Sequence, residues 1–177
     1  MVARALTGGA ASGEYDALYV APFAVLGIRA PGDAVTGLDY LPPDVAACPP
    51  RNDLAREVIR QIECYLDDPS FCFELPLVIA GSAFRKRVWE VMCGIPAGQT
   101  LTYGDVAQRL NSAPRAVGGA CGDNRIPLII PCHRVVGRNG VGGFMHTTGE
   151  RETGIKRWLL QHEQGVVSPR LSRHDQR

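Results

Sequence analysis

The run Pro127-Leu128-Ile129-Ile130-Pro131-Cys132-His133-Arg134-Val135-Val136 constrains this chain more than any other stretch. Branched apolar residues bounded by prolines predict a short buried segment. Pro131 has no N–H and a fixed φ, so it delivers Cys132 from that segment at a set angle. A free thiol, with a pKa of about 8.5, is a weak nucleophile until a base or a positive charge favours the thiolate. His133 supplies a candidate base and Arg134 a charge. The same residues also suit a buried structural cysteine, the commonest fate of the residue type. Adjacency in sequence does not put two side chains in contact.

The other cysteines stand at 48, 64, 72, 93 and 121, and no two form a C-x-x-C pair. In a chain of 177 residues they read as reduced thiols rather than disulfide staples. The four histidines (133, 146, 162 and 174) all lie in the C-terminal part, away from most of the cysteines. Clustered metal ligands are therefore not expected. No apolar stretch approaches membrane-spanning length, and no signal-peptide core opens the chain. Charge is lopsided: residues 1–80 carry a net of −6 and residues 81–177 a net of +7. A polyanion is the natural partner of the second half, although a charged surface need have none.

Residues 1–13 are Ala/Gly-rich and read as disordered. Tyr15–Val20, Phe23–Arg29 and Ala34–Leu41 predict a small antiparallel sheet, which the helix carrying Leu54, Val58, Ile59, Ile62 and Leu66 would cover. Phe71–Ile79 alternates and predicts a further strand. Ser82 is a candidate N-cap for a helix with Phe84, Val88, Val91 and Met92 on one face, ended by Gly94 and Pro96. Thr102-Tyr103-Gly104-Asp105 has the form of a capping box, and Pro114 suits the first turn of the next short helix, Arg115–Cys121. Two short helices across a tight turn in the basic half fit a helix-turn-helix. Ala116, Gly118, Gly119 and Ala120 are too small to read bases, but they permit close approach, either of a phosphate strand or of a neighbouring helix. Gly137–Gly143 reads as a flexible loop. The last helix shows a buried stripe of Ile155, Trp158, Leu159 and His162, with Glu152 and Lys156 paired on its surface and Glu163 at its end. Residues 165–177 read as a loose tail.

Pro131-Cys132-His133-Arg134-Val135-Val136 resembles the signature of the O6-alkylguanine-DNA alkyltransferases, also called methylated-DNA–protein-cysteine methyltransferases. The similarity runs from about Phe84 to Glu163 and takes in Arg115-Ala116-Val117-Gly118-Gly119-Ala120 followed by Asn124. It implies an α+β fold in two parts. A small structural α/β domain, ribonuclease H-like, would occupy 1–81. A helical domain with a helix-turn-helix and an active-site loop would occupy 82–165, ahead of a flexible tail over 166–177. The implied activity is irreversible, stoichiometric transfer of the alkyl group of O6-alkylguanine in duplex DNA to Cys132, with the base flipped out. Activity on O4-alkylthymine stays open.

The resemblance also assigns roles. Cys132 is the nucleophile, His133 the base that takes its proton through a water, and Glu163 the third member that orients the imidazole. Tyr103 donates a proton toward the leaving guanine and crowds the neighbouring phosphate. Arg115 is the finger that fills the gap left by the flipped base, and Ala116, Gly118 and Gly119 lie along the minor groove, with Arg134 also counted at the DNA. Asn124, Pro127, Val135 and Phe144 belong to the substrate pocket, where Asn124 ties a turn and the carbonyls of Cys132 and Val135 meet the guanine amine. No cofactor and no metal are implied. The expected partner is double-stranded DNA carrying O6-alkylguanine, met by a monomer away from membranes in the cytoplasm, or in the nucleus of a eukaryote.

Three departures from the family pattern stand out: Asn124-Arg125 in place of Asn-Pro, a short Asn111–Pro114 connection, and a longer lid over Phe144–Gly149. Other functions fit less well. A non-enzymatic sensor of damaged DNA would lack the cysteine, a transcription regulator would need side chains for the major groove, and no oxyanion-hole feature supports a cysteine protease.

Overall fold

The strand signals at the start of the chain resolve into one antiparallel sheet in the order β1-β2-β3, formed by Ala17–Val20, Val25–Arg29 and Gly37–Leu41. A computed structural model describes residues 14–165. The expected disordered segment 1–13 and the tail 166–177 lie outside the described residues. Ala17 faces Ile28 and Leu26 faces Tyr40, so the register puts Ala17, Leu26, Ile28 and Leu38 into the interior. Helix α1 (Asp53–Asp67) covers that face with Ala55, Val58, Ile62 and Tyr65. Its N-cap Asn52 accepts from the Ala55 N–H at 2.8 Å and donates to the Ala30 carbonyl at 2.9 Å, which joins helix start to sheet.

The segment 71–79 is extended but is not a full strand. Phe71, Phe73, Leu75, Leu77 and Ile79 face inward alternately, yet the only pairing in the described residues is a parallel bridge between Val35 and Leu77. Pro76 has no N–H to give. At Glu74 a side chain replaces the missing neighbour strand: the buried Gln61 amide donates to the Glu74 carbonyl at 2.9 Å and accepts its N–H at 2.8 Å. Alternation reported the burial correctly, but a ladder needs a partner strand.

Helix α2 (Ala83–Cys93) starts on the Ser82 side chain and ends at Gly94. Strand β4 (Leu101–Thr102) pairs in parallel with β5 (Val135–Val136), and the latter follows directly from the Cys132–Arg134 3-10 turn. Helix α3 (Tyr103–Arg109) opens on a full capping box of Thr102 and Asp105. Helix α4 (Pro114–Gly122) has Pro114 in its first turn. Trp89 of α2 donates to the Ala120 carbonyl at 2.8 Å and fixes α4 against the core.

Helix α5 (Glu150–Glu163) departs from expectation at two positions, Trp158, which is only half-buried, and Lys156. Lys156 is fully buried rather than surface-paired with Glu152, and Glu152 pairs with Arg151 instead. Ile155, Leu159 and His162 are buried as the periodicity indicates. A single apolar cluster runs from Leu26 and Tyr65 in the first half to Ile130 and Leu159 in the second. Hydrogen bonds cross the same boundary, from the Leu38 N–H to the Arg125 carbonyl and from Arg151 to the Tyr40 carbonyl. No helix of the described residues is long and apolar enough to cross a membrane.

Replacing Gln61 with Ala strands two backbone groups of Glu74 and opens a gap beneath segment 71–79. Unfolding in urea should show a loss of about 2 kcal/mol, with the midpoint lowered. Unchanged stability would mean that this segment holds itself.

Candidate active site

Two side-chain bonds and one tight turn aim Cys132. The Asn124 amide donates to the Ile130 carbonyl at 2.8 Å and accepts the Ile126 N–H at 3.0 Å, so the chain leaving α4 is bound to the apolar run. Leu128 takes φ +74°, a left-handed bend that this cross-tie holds in place. Pro131, at φ −81° and ψ 66°, makes an inverse γ-turn in which the Cys132 N–H donates to the Ile130 carbonyl at 2.8 Å. Cys132 then opens the 3-10 turn with its thiol on a cavity of about 260 Å³. Tyr103, Gly118, Cys121 and Phe144 also line that cavity. Asn124, Pro127 and Val135 are buried but are not among its lining residues.

His133 points the other way, into the protein. Its Nε2 lies 2.7 Å from Glu163 Oε1, and both side chains have no solvent exposure. Burial holds the imidazole below its ordinary pKa despite the facing carboxylate, so His133 is neutral at neutral pH. With Nε2–H given to Glu163, Nδ1 is the basic nitrogen, and it has no hydrogen-bond partner in the protein. The Glu163 carboxyl works against its own burial: hydrogen bonds from His133 and Arg134 outweigh desolvation and bring its pKa down to about 2. Tyr65 Oη donates to Oε1 at 2.9 Å and the Gly98 N–H to Oε2 at 3.2 Å.

Arg134, expected at the DNA, is directed inward. Its Nε lies 3.0 Å from Glu163 Oε2 and its Nη2 2.9 Å from Oε1, while Nη1 donates to the Ile95 carbonyl at 2.6 Å. A planar guanidinium beside a buried carboxylate makes this forked contact, which the sequence spacing of 29 residues conceals.

Lys156 is the other surprise. Its Nζ donates to the carbonyls of Val135 at 2.7 Å and Gly143 at 2.9 Å and approaches Tyr103 Oη at 3.4 Å. The Val135 carbonyl, expected to face guanine, therefore already carries a donor. Among the described residues no carboxylate pairs with Lys156, and burial lowers its pKa to about 8. Burial likewise raises Cys132 to about 11, against the pull of Asn124 and of the Lys156 charge. Tyr103 is pushed up to about 12, first by burial and then by the neighbouring thiols. Its hydroxyl donates to the Gly143 carbonyl at 3.2 Å.

On the outer face, Arg115 and Ala116 are exposed on α4. A Cβ added at Gly118 or Gly119 would meet nothing within 4 Å, so internal packing does not demand these glycines. Their smallness is offered outward. Phe144, by contrast, is buried and packs at a tilt against Tyr40 of β3, with ring centroids 5.7 Å apart. Among the described residues no group of three or more His, Cys, Asp or Glu side chains is placed to hold a metal ion.

Residues 83–165 match the model of the 6-O-methylguanine DNA methyltransferase DNA-binding domain. A methylated-DNA–protein-cysteine methyltransferase of Haemophilus influenzae is 35% identical over 161 residues, covering 84% of this chain and 86% of that protein. The chain belongs to the methylated-DNA–protein-cysteine methyltransferase family. A family member from Methanosarcina mazei is 46% identical over 90 residues, half of this chain and 57% of that protein. The chain spans 33% of the regulatory protein Ada of Salmonella typhimurium at 40% identity. Among solved structures, Mycobacterium tuberculosis OGT in complex with DNA superposes with a TM-score of 0.70 at 29% identity, covering 86% of this chain and 94% of that one.

Sequence reasoning missed Tyr65, Gly98 and Lys156. Tyr65 sits on the inner stripe of α1, where an aromatic reads as core. Lys156 occupies an i,i+4 position to an acid and reads as surface. The single usable signal for Lys156 was its place between the buried Ile155 and Leu159, on the edge of the apolar face.

Glu163→Gln removes the charge that four donors surround: His133, Arg134, Tyr65 and the Gly98 N–H. Its carboxyl is held below the unfolded value of 4.5, so its contribution is present above 4.5 and is lost as pH falls toward about 2. The variant should lose about 3 kcal/mol at neutral pH and should show a flatter acid limb over that window in stability-versus-pH measurements. An acid limb parallel to that of the wild type would place the titration elsewhere.

Proposed function

We propose that this protein repairs O6-alkylguanine in duplex DNA by moving the alkyl group onto Cys132. The observation that carries this reading is the Glu163–His133 pair locked behind a cysteine that opens on a base-sized cavity. The Cys132 proton passes to His133 Nδ1, directly or through a water, and Glu163 compensates the imidazolium that results. Sulfur then attacks the alkyl carbon in line: the C–S bond forms, the C–O bond breaks, and the electron pair goes to the guanine O6. Tyr103, which lines the cavity, provides the proton that makes guanine a neutral leaving group, and the proton taken up by His133 returns to the phenolate. Lys156 holds Tyr103 and the Gly143 carbonyl in register and lends positive charge to the thiolate.

Access requires a flipped base. The pairing of α3 and α4 reads as a helix-turn-helix whose second helix lies along the minor groove, with exposed Arg115 as the finger and Gly118 and Gly119 admitting the backbone. The net +7 of residues 81–177 suits a phosphate strand. Division of labour follows from the same reading. The three-stranded sheet with α1 belongs to a small ribonuclease H-like domain with a structural role, and residues 82–165 bind DNA and accept the group. The protein works as a monomer, without cofactor or metal, in whichever compartment holds the DNA.

A thioether has no ionisable proton and leaves poorly, so the acceptor is consumed. Incubated with an excess of O6-methylguanine duplex, the protein should remove at most one methyl group per molecule, found on Cys132 by intact-mass and peptide mass spectrometry. Cys132→Ser should bind DNA and transfer nothing. Continued linear release would overturn the mechanism.

Arg115→Ala should slow repair of the duplex by about one to two powers of ten and leave reaction with free O6-benzylguanine little changed, because the free base needs no flipping. Equal losses on both substrates would assign Arg115 to the pocket instead.

A further inference from the structure

The lid over the cavity turns on two residues that do not favour its shape. Phe144 and Thr147 exchange backbone hydrogen bonds, Phe144 N–H to Thr147 O at 2.8 Å and the reverse at 3.0 Å. Between them Met145 and His146 sit at φ +50° and +62°. This is a two-residue turn with both central residues left-handed, a shape that favours Asn-Gly and strains other side chains. The turn does not hold itself, so its anchors decide where the lid lies.

Two anchors lie inside: Phe144 packs on Tyr40, and the Gly143 carbonyl receives Lys156 and Tyr103. The third is exposed and polar. His146 Nε2 lies 2.9 Å from Asp123 Oδ1, at the C-terminal cap of α4, and Asp123 is in turn paired with Arg85 of α2. The His146 ring lies against Gly122, where an added Cβ would run into it. Gly118, Cys121 and Gly122 of α4 and residues 143–148 of the lid both line the cavity that holds Cys132. The His146–Asp123 contact therefore ties the lid to the end of α4 beside that cavity.

We propose that His146 is a specificity-determining residue: latched to Asp123 over Gly122, it sets the width of the acceptor cavity and so the size of alkyl group taken. The inference rests on the alkyl-transfer reading above. With the latch closed, the lid stands near a small alkyl group and keeps it in line with Cys132. With it released, the strained turn moves outward, bulky groups gain room and small ones lose their guidance.

Two identical duplexes, one with O6-methylguanine and one with O6-benzylguanine, separate the outcomes. His146→Gly relieves the turn while removing the latch, Asp123→Ala removes it from the other side, and Gly122→Ala pushes the His146 ring away with both latch residues still present. Each should raise the benzyl-to-methyl rate ratio by about tenfold. The double variant His146→Gly/Asp123→Ala should have the rate ratio of His146→Gly alone, because the His146–Asp123 contact is already gone in the single variant. The Phe144 and Thr147 amides should exchange with deuterium faster in all of them, with core amides unaffected. A ratio and lid exchange equal to those of the wild type in His146→Gly and Gly122→Ala would overturn the latch. If the wild type accepts neither group, the alkyl-transfer reading fails, and the lid exchange rates still decide whether the latch exists.

Discussion

The structure depends on one buried carboxylate. Glu163, at the end of α5, receives Tyr65 from α1, the Gly98 N–H from the loop before β4, and His133 with Arg134 from the 3-10 turn. A charge without solvent is tolerable only when its hydrogen bonds are complete. These donors lie up to 98 residues away in sequence, so the carboxylate is satisfied only when both halves of the chain are in place. The first half therefore does more than cover a core. It completes the support of the imidazole beside Cys132.

The thiol side of the same turn is arranged in the opposite sense. Behind it, a carboxylate is stabilised in the charged form; in front, burial keeps Cys132 a thiol and weakens the hold of Lys156 on its proton. A protonated thiol at the floor of a cavity is slow toward stray electrophiles. On the proposed reading, reactivity appears when the flipped base fills the cavity and the proton moves to His133. Lys156 connects this chemistry to the lid, since its donors reach both Val135, in the strand after the nucleophile, and Gly143, at the lid's base.

The outer surface follows from small residues. Gly118 and Gly119 meet open space, whereas Gly122 makes room for a lid side chain. Three glycines within five positions of α4 thus serve two purposes, approach from outside and closure of the pocket, and only the contacts around each distinguish them.

Much of the local structure was legible in the chain. The three first strands, the caps at Ser82 and Thr102, Pro114 at a helix start and the stripe of α5 depend on neighbours within a few residues, and those interactions are written in the spacing. The turn held by Pro131 was legible for the same reason, whereas Cys132-His133 pointed to an acceptor site only through the family resemblance, because adjacency in sequence does not place two side chains together. What only tertiary structure decided were the partners. Arg134, counted at the DNA, and Lys156, read as a surface cation, are held inside by carbonyls and a carboxylate contributed from distant segments. Segment 71–79 kept its alternation but lost its ladder, because a strand needs a neighbour and Gln61 stood in for one. Hydrophobic period reports which side is buried; it is silent on what a polar group will meet there, because that depends on chain closure over long separations.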